Sequence, residues 1–423
     1  MEDMIQILSP TPEWIVFQHH DGSASIRLSG VAKVNGNNYP ILRVVDVNSE
    51  KTVFYQKLPL INSEWQTDVS LEAGSYRIET GIALEAADYN PYYLARGDIW
   101  RHLFVGDVFV IAGQSNASGY GRGAVDDPPQ YGVSMLSEKW SIAAHPVAHL
   151  PPGFPNTDFL NSGHSAWIKL GKLILSHQKM PVGLVPVALN GSGIDLWAPG
   201  TPLFEHMIKM AKQSGAAHLI WYQGCTDTNN PTGYEEKLKT LIETTREKLG
   251  DLEIYLVQIS GTKGTAQSDE GWRLIREAQR KVAVELKTFL IPTYDFCHYS
   301  DDIHLSPNDN LLLAQRLFST YVDKKKNGSV KIRKGKTTEL IFDAMLQPES
   351  VNHLVVLDKE KNKINCHFQV RGNTVKIIGD PGQMQIVTLP FGRLYKGQTL
   401  RYVSGDPVPY FYLDLHEPED GQV

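Results

Sequence analysis

Four short segments of this 423-residue chain carry side chains suited to acyl transfer. Gly113-Gln114-Ser115-Asn116 sets a serine two positions after a glycine, which permits the tight turn that presents a hydroxyl for attack. Asp301-Asp302-Ile303-His304 offers an imidazole to take the serine proton and carboxylates to hold its other ring nitrogen. On spacing alone either Asp301 or Asp302 fills that second role. Asn190-Gly191-Ser192-Gly193 and Gln223-Gly224 meet the remaining need, N–H donors where negative charge develops in a tetrahedral intermediate. The Ser115 backbone N–H, a glycine N–H from the Gly191–Gly193 turn (Gly191 in the first instance) and the Gln223 side-chain amide are the candidate oxyanion donors. Asn116, Tyr120 and Trp197 stand in or beside these segments and are candidate substrate contacts, since aromatic rings in a polar site suit stacking on sugars.

Each piece has an ordinary reading when taken alone. A strand-end serine is often a turn or helix-cap residue, and glycine pairs often mark simple turns. His304 precedes Ser306-Pro307, a good helix start with serine as cap and proline in the first turn. Other signals are weaker. Gly119-Tyr120-Gly121-Arg122-Gly123 resembles a nucleotide loop but runs into Asp126-Asp127-Pro128-Pro129 instead of a helix, so it reads as a flexible loop. No HExxH is present and His19-His20 lies in a β-rich stretch, so no metal and no cofactor are expected.

The segments need elements that bring them together. Apolar runs at Asp107–Ala112, Val182–Leu189, His218–Tyr222, Glu253–Ile259 and Thr288–Pro292 read as buried strands. Between or after them, residues 166–175, 204–212, 234–249, 272–286 and 311–322 place apolar residues at helical spacing. Such alternation predicts a doubly wound parallel sheet of about five strands over residues 104–326, covered on both faces. In such a sheet the site lies beyond the carboxyl ends of the strands, where the candidate segments fall. Residues 1–103 read as short strands parted by turn clusters, a small β-sandwich. Residues 327–423 read as a second β-rich domain, with Lys324–Gly328 as a solvated helix end and linker.

Composition narrows the classes. Lys plus Arg number 41 and Asp plus Glu 47, a net charge of −6, which suits neither a nucleic-acid backbone nor an anionic membrane surface. No apolar stretch approaches the ~18 to 20 residues of a membrane span. Three dispersed cysteines, Cys225, Cys297 and Cys366, argue against a disulfide scaffold or structural zinc. No export signal is visible in the chain, so the expected location is the cytoplasm, or the periplasm or exterior for a mature exported form.

Gly113-Gln-Ser-Asn116, Trp221-Tyr-Gln-Gly224, Trp272-Arg-Leu-Ile-Arg-Glu-Ala-Gln279 and Asp301-Asp-Ile-His304, in that order, resemble the SGNH-type carbohydrate esterases. The likeness is to the sialate O-acetylesterase and acetylxylan esterase group, carbohydrate esterase family six and its relatives, over residues ~104 to ~320. It implies a flavodoxin-like SGNH-hydrolase fold, Ser115 as nucleophile, His304 as base and Asp301 as its partner. The implied oxyanion donors are Ser115, Gly191 and Gln223, and the implied substrate is an acetylated carbohydrate, sialic acid or a plant or microbial polysaccharide. The family usually carries an acid after the Trp-Tyr-Gln-Gly run, whereas this chain has Cys225, expected as a buried, inert thiol. Two other readings stand beside it: an α/β-hydrolase using Gly113-x-Ser115-x-Ala117 as a degenerate nucleophile elbow, and a noncatalytic carbohydrate-binding protein.

Overall fold

The computed structural model describes residues 3–10, 13–84, 94–123, 125–147, 162–264, 268–296, 300–325, 328–335, 337–380, 382–390 and 399–416. Tyr299 and Cys297, and two residues of the Lys324–Gly328 linker, lie outside them.

The N-terminal part is a two-layered β-structure. Its strands are β1 (Met4–Ser9), β2 (Ile15–Gln18), β3 (Ser23–Lys33), β4 (Asn38–Asp46), β5 (Thr52–Lys57), β6 (Glu64–Glu72) and β7 (Gly74–Leu84). One layer has the order β1-β3-β6, and in the other β4 lies between β5 and β7. Strict alternation in β6, with every second residue buried, turns Trp65, Thr67, Val69 and Leu71 inward. Trp65, Val69 and Leu71 join Ile26, Leu28, Leu42, Val44 and Ile78 in one core.

The two parts of the molecule share a strand. β8 (Ala95–Gly113) is 19 residues long. Its first half pairs antiparallel with β7, and its second half pairs in parallel with two strands of the central sheet. The expected division after residue 103 therefore falls inside this shared strand, where side chains alternate between two cores. Leu103 and Val105 point into the N-terminal core, while Phe104 and Val108 point into the central one.

The central sheet continues with β9 (Val133–Leu136), β10 (Trp140–Ile142), β11 (Val182–Pro186), β12 (His218–Tyr222), β13 (Glu253–Val257) and β14 (Phe289–Ile291). The order across it is β10-β9-β11-β8-β12-β13-β14. Five of these strands, numbered along the chain, read 2-1-3-4-5, the flavodoxin-like arrangement. The expectation of about five strands omits β9, parallel to β11, and the antiparallel β10 at that edge.

The helices of this body are α1 (Ser115–Ser118), α2 (Trp167–Gln178), α3 (Pro202–Ser214), α4 (Tyr234–Leu249), α5 (Asp269–Glu285) and α6 (Pro307–Asp323). α2 packs on α6, and α4 packs between α3 and α5. In α4 the buried residues Tyr234, Leu238, Leu241, Ile242 and Thr245 form the single stripe that a half-covered helix requires. α6 starts as its sequence indicates, with Ser306 Oγ accepting from Asp309 N at 3.2 Å and Pro307 in the first turn. Its end differs. Lys324, at φ +52°, takes the left-handed cap position expected of a glycine.

The C-terminal part has two four-stranded antiparallel sheets around one core, which also takes in Tyr294 of the central body. This part covers α5. The Gln258 amide exchanges hydrogen bonds with the backbone of Tyr410, and Tyr412 N donates to Glu277 at 3.0 Å. Arg273 lies 3.8 Å over the Tyr412 ring. No described helix is long and apolar enough to cross a membrane.

Candidate active site

The site is built at the carboxyl ends of β8, β11, β12 and β14, and its centre is the turn after β8. Gly113 has φ +129°, and a Cβ there would lie 2.2 Å from Tyr222 O, so only glycine fits. Ser115 then opens the single turn α1, whose first backbone N–H groups have no partner within the turn. Ser115 is only 4% exposed, so its hydroxyl sits at the floor of the site.

The two residues that flank Ser115 fasten the neighbouring loops. Gln114 Oε1 accepts from Gly224 N at 3.0 Å and Thr226 N at 3.2 Å, tying the turn to the loop after β12. Asn116 Oδ1 accepts from Leu305 N at 3.1 Å, and its amide donates to Ile303 O at 3.4 Å. It therefore holds the histidine loop on both sides of His304. Gly113 O accepts from Leu189 N at 2.9 Å and Ser192 Oγ at 3.3 Å, bringing in the loop after β11. Thus all four segments marked by the sequence meet at residues 113–116.

Of the two candidate carboxylates, Asp301 meets the imidazole. Its Oδ2 lies 2.7 Å from His304 Nδ1, and its Oδ1 accepts from the backbone N–H groups of Ile303 and His304, each at 2.9 Å. Burial opposes its charge, but the His304 and Ile303 N–H groups and the His304 ring together hold its carboxyl below the ordinary carboxylate range. Asp302 has an exposed side chain and takes part through its carbonyl, which accepts from Thr262 Oγ1 at 2.9 Å and Lys263 N at 2.6 Å. With Nδ1 engaged by Asp301, Nε2 is the His304 nitrogen left for chemistry.

Three expected substrate contacts have other surroundings. Tyr120 is 2% exposed and stacks on His304, with centroids 5.0 Å apart and planes inclined by 29°. Trp197 is fully buried, its indole N–H donating to Ser192 Oγ at 2.9 Å. Asn116 uses both ends of its amide on backbone groups. All three therefore position loops, and none of them lies open to a sugar. The 119–123 segment is likewise no flexible loop, because Gly119, Tyr120 and Gly121 are buried and Gly121 pairs with His164.

The candidate oxyanion donors also divide. Gly191, at φ +70° in an exposed turn, has open space around it. Gln223 differs from expectation: its amide nitrogen donates to Asp227 Oδ2 and to Ser192 O at 3.1 Å, so both hydrogens are used within the protein. Asp227 is the residue that sequence reasoning passed over. It lies on the 3₁₀ turn Thr226–Asn229, four residues after Gln223, and Ile194 N also donates to it at 3.2 Å. Burial pushes its carboxyl above the ordinary range, partly offset by the Gln223 amide and the Ile194 N–H. Cys225 is buried, and burial pushes its thiol up to about 12, which leaves it protonated and inert. Asp227 thus provides an acid in the loop where Cys225 replaces one.

A 2-1-3-4-5 sheet with a serine turn after its first strand and an Asp-x-x-His loop after its last has the architecture of the SGNH-type hydrolases. Residues 105–323 match the family model described as carbohydrate esterase, sialic acid-specific acetylesterase. The chain belongs to that family: it is a carbohydrate acetylesterase, an enzyme that removes O-acetyl groups from carbohydrate. A carbohydrate acetylesterase from Xanthomonas citri has a similar structure, with a TM-score of 0.64 over 96% of this chain and 98% of that one at 16% identity. That likeness extends the shared fold to the β-rich flanks. The Arabidopsis thaliana protein named probable carbohydrate esterase is 24% identical over 240 residues, covering 51% of this chain and 90% of its own. The crystal structure from that plant covers 52% of this chain and 98% of its own, at 23% identity and a TM-score of 0.44.

Proposed function

We propose that the chain deacetylates an O-acetylated sugar or polysaccharide through a Ser115–His304–Asp301 triad and an acetyl-enzyme. Ser115 Oγ attacks the acetyl carbonyl while His304 Nε2 takes its proton, and Asp301 holds Nδ1–H and the resulting imidazolium. The oxyanion forms at the start of α1, where the Ser115 N–H and the Gly191 N–H are the donors; Gln223, held by Asp227, supports that loop. Collapse expels the sugar oxygen, which takes the proton back from His304. Water deprotonated by His304 then cleaves the acetyl-enzyme to acetate and free serine. No metal or organic cofactor takes part in these steps. The units 1–103 and 327–423 flank the catalytic unit 104–326.

One observation carries this reading. The Asp301–His304 contact of 2.7 Å sits in a loop that Asn116, the residue next to Ser115, fastens by two hydrogen bonds. The α/β-hydrolase reading needs the acid on a separate strand end, and the noncatalytic reading leaves this arrangement without purpose.

The test is acetate release across a panel of acetylated sugars, xylan, pectin and sialic acid, with Ser115→Ala as control. The variant should stay folded and lose turnover by roughly 10⁴-fold or more. Unchanged turnover would refute the nucleophile. Glycan binding without acetate release from any member would favour the noncatalytic reading.

A further inference from the structure

We propose that Asp127, His145 and His164 form a binding site for a divalent transition-metal cation of the zinc type, separate from the acyl-transfer site. Their ligand atoms lie within 4.8 Å of one another. Asp127 Oδ2 is 3.0 Å from His145 Nε2 and 3.4 Å from His164 Nε2. Ligands at zinc bond lengths of ~2.0–2.1 Å on a tetrahedron stand ~3.3 Å apart, so these separations need little adjustment. Two imidazoles and one carboxylate favour zinc, cobalt or nickel over magnesium or calcium, which prefer oxygen.

The second observation is His164 itself. Its side chain is 3% exposed, yet neither ring nitrogen has a hydrogen-bond partner among the described residues. A buried imidazole with Nδ1 unbonded among the described residues, and with Nε2 making only a 3.4 Å approach to Asp127, is a costly arrangement that proteins rarely keep without use. A cation on Nε2 removes half of that cost, and Nε2 already faces Asp127. His145, with its Nε2 on the same oxygen, closes the third side. Lys172 Nζ holds the other oxygen of Asp127 at 2.6 Å and leaves Oδ2 to the histidines. Its positive charge opposes a cation, so it tunes the affinity downward.

The position suggests what the metal does. His164 pairs through its backbone with Gly121, at 2.7 Å and 3.0 Å, and its carbonyl also accepts from Asn310 Nδ2 at 3.2 Å. Gly121 follows Tyr120, whose ring supports His304. A cation there braces the wall behind the base and touches no reacting atom.

The test adds Co²⁺ or Zn²⁺ to protein first dialysed against a chelator. The wild type should gain the visible absorption of four-coordinate cobalt at one equivalent, and zinc should raise its Tm where Mg²⁺ and Ca²⁺ do not. His164→Gln and His145→Gln should lose both signals, Lys172→Met should bind more tightly, and Ser115→Ala should bind as the wild type does. His145, the more exposed ligand, decides the matter if His164→Gln fails to fold. Absence of cobalt absorption in the wild type overturns the proposal, as does absorption that persists in the folded histidine variants.

Discussion

Replacing Asp301 by asparagine separates a partner of His304 from a bystander. The loop should survive, because Asp301 Oδ1 accepts from Ile303 N and His304 N at 2.9 Å, and an amide oxygen can accept both. The change falls on the other atom. An amide NH₂ in place of Oδ2, 2.7 Å from His304 Nδ1, would donate to the ring and force its proton onto Nε2. That tautomer cannot accept the serine proton. The expected loss in kcat is roughly 10³- to 10⁴-fold, about 4 to 5.5 kcal/mol of transition-state stabilisation. Stability should change little, by about 1 kcal/mol, or roughly 2–4 °C in Tm for a domain of this size. The folded-state carboxyl is held below its ordinary value, so its contribution is present above that value and is lost as pH falls through the folded one. The Tm difference between wild type and variant should therefore close below about pH 3.9. Asp302→Asn, altering an exposed side chain, should leave kcat within roughly twofold. Turnover of p-nitrophenyl acetate by the two variants, with Tm measured in parallel, decides the point. An equal or larger loss in Asp302→Asn, or wild-type kcat in Asp301→Asn, would refute the reasoning.

Asn116→Ala removes one buried and one half-buried hydrogen bond between the serine turn and the histidine loop and strands the Leu305 N–H. It should cost about 2–3 kcal/mol by denaturant unfolding and roughly 10- to 100-fold in kcat, although no triad residue changes; wild-type kinetics would show that the loops need no such fastening. Asp227→Asn turns an amide toward the Gln223 nitrogen and should lower kcat by roughly tenfold, with KM moving less; a change confined to KM would assign Asp227 to substrate binding. Asp107→Asn breaks a buried network that joins His19 near β2, His218 on β12 and Tyr321 on α6. It should cost about 3 kcal/mol near pH 6. Burial opposes the Asp107 charge, but the His19 and His218 hydrogen bonds hold its carboxyl well down, so its contribution is lost in acid. Burial likewise opposes the His218 charge, which Asp107 and Glu253 outweigh, raising its value. The His218 contribution is full below about 6.5 and is lost as pH rises through the folded value. Wild-type stability should thus fall on both sides of a mildly acidic maximum that the variant flattens; parallel pH–stability curves would contradict this assignment.

The parts of the fold that were legible are those whose burial is one-sided or complete over several residues. β12 is buried at every position, and the periodicity of residues 234–249 gave the limits of α4 as observed. Patterning failed where a distant segment supplies the cover. Five polar residues of α5 are buried: Arg273 and Glu277 because Tyr412 lies against them, Arg276 and Gln279 because they reach the backbone of Ile259 and Gln223, and Arg280 because it reaches Gly328 O. β9, four residues long, carries too little pattern to stand out from its loop. In the candidate site, Ser115, Asp301 and His304 were legible as a group because they are chemically specific and sit at strand ends. The loop-holding roles of Asn116, Tyr120 and Trp197 were not, since a polar or aromatic residue in a loop looks the same facing a ligand or a neighbouring loop. Asp127, His145 and His164 stand 18 and 19 residues apart and match no metal-binding spacing.

The Gly113-Gln114-Ser115-Asn116 run then has a physical explanation for every position. Four loops from four strand ends have no local reason to converge, and ordering each costs conformational entropy. The turn offsets that cost by spending each neighbour of the serine on a different loop: Gly113 O on residues 189 and 192, Gln114 on 224 and 226, Asn116 on 303 and 305. In the proposed mechanism the Ser115 side chain alone keeps its chemistry for substrate. A change at Gln114 or Asn116 should therefore move the proposed nucleophile relative to its proposed base or oxyanion donors, so that reaction and architecture are lost together. Choice of sugar has to be written elsewhere, on residues that are exposed and not committed to this fastening. Asp195 and Leu196 on the loop after β11 meet that condition: both are exposed, and Asp195 is paired at 2.7 Å with Lys237 of α4. The loop can vary at these positions without disturbing the bonds that set Ser115 against His304.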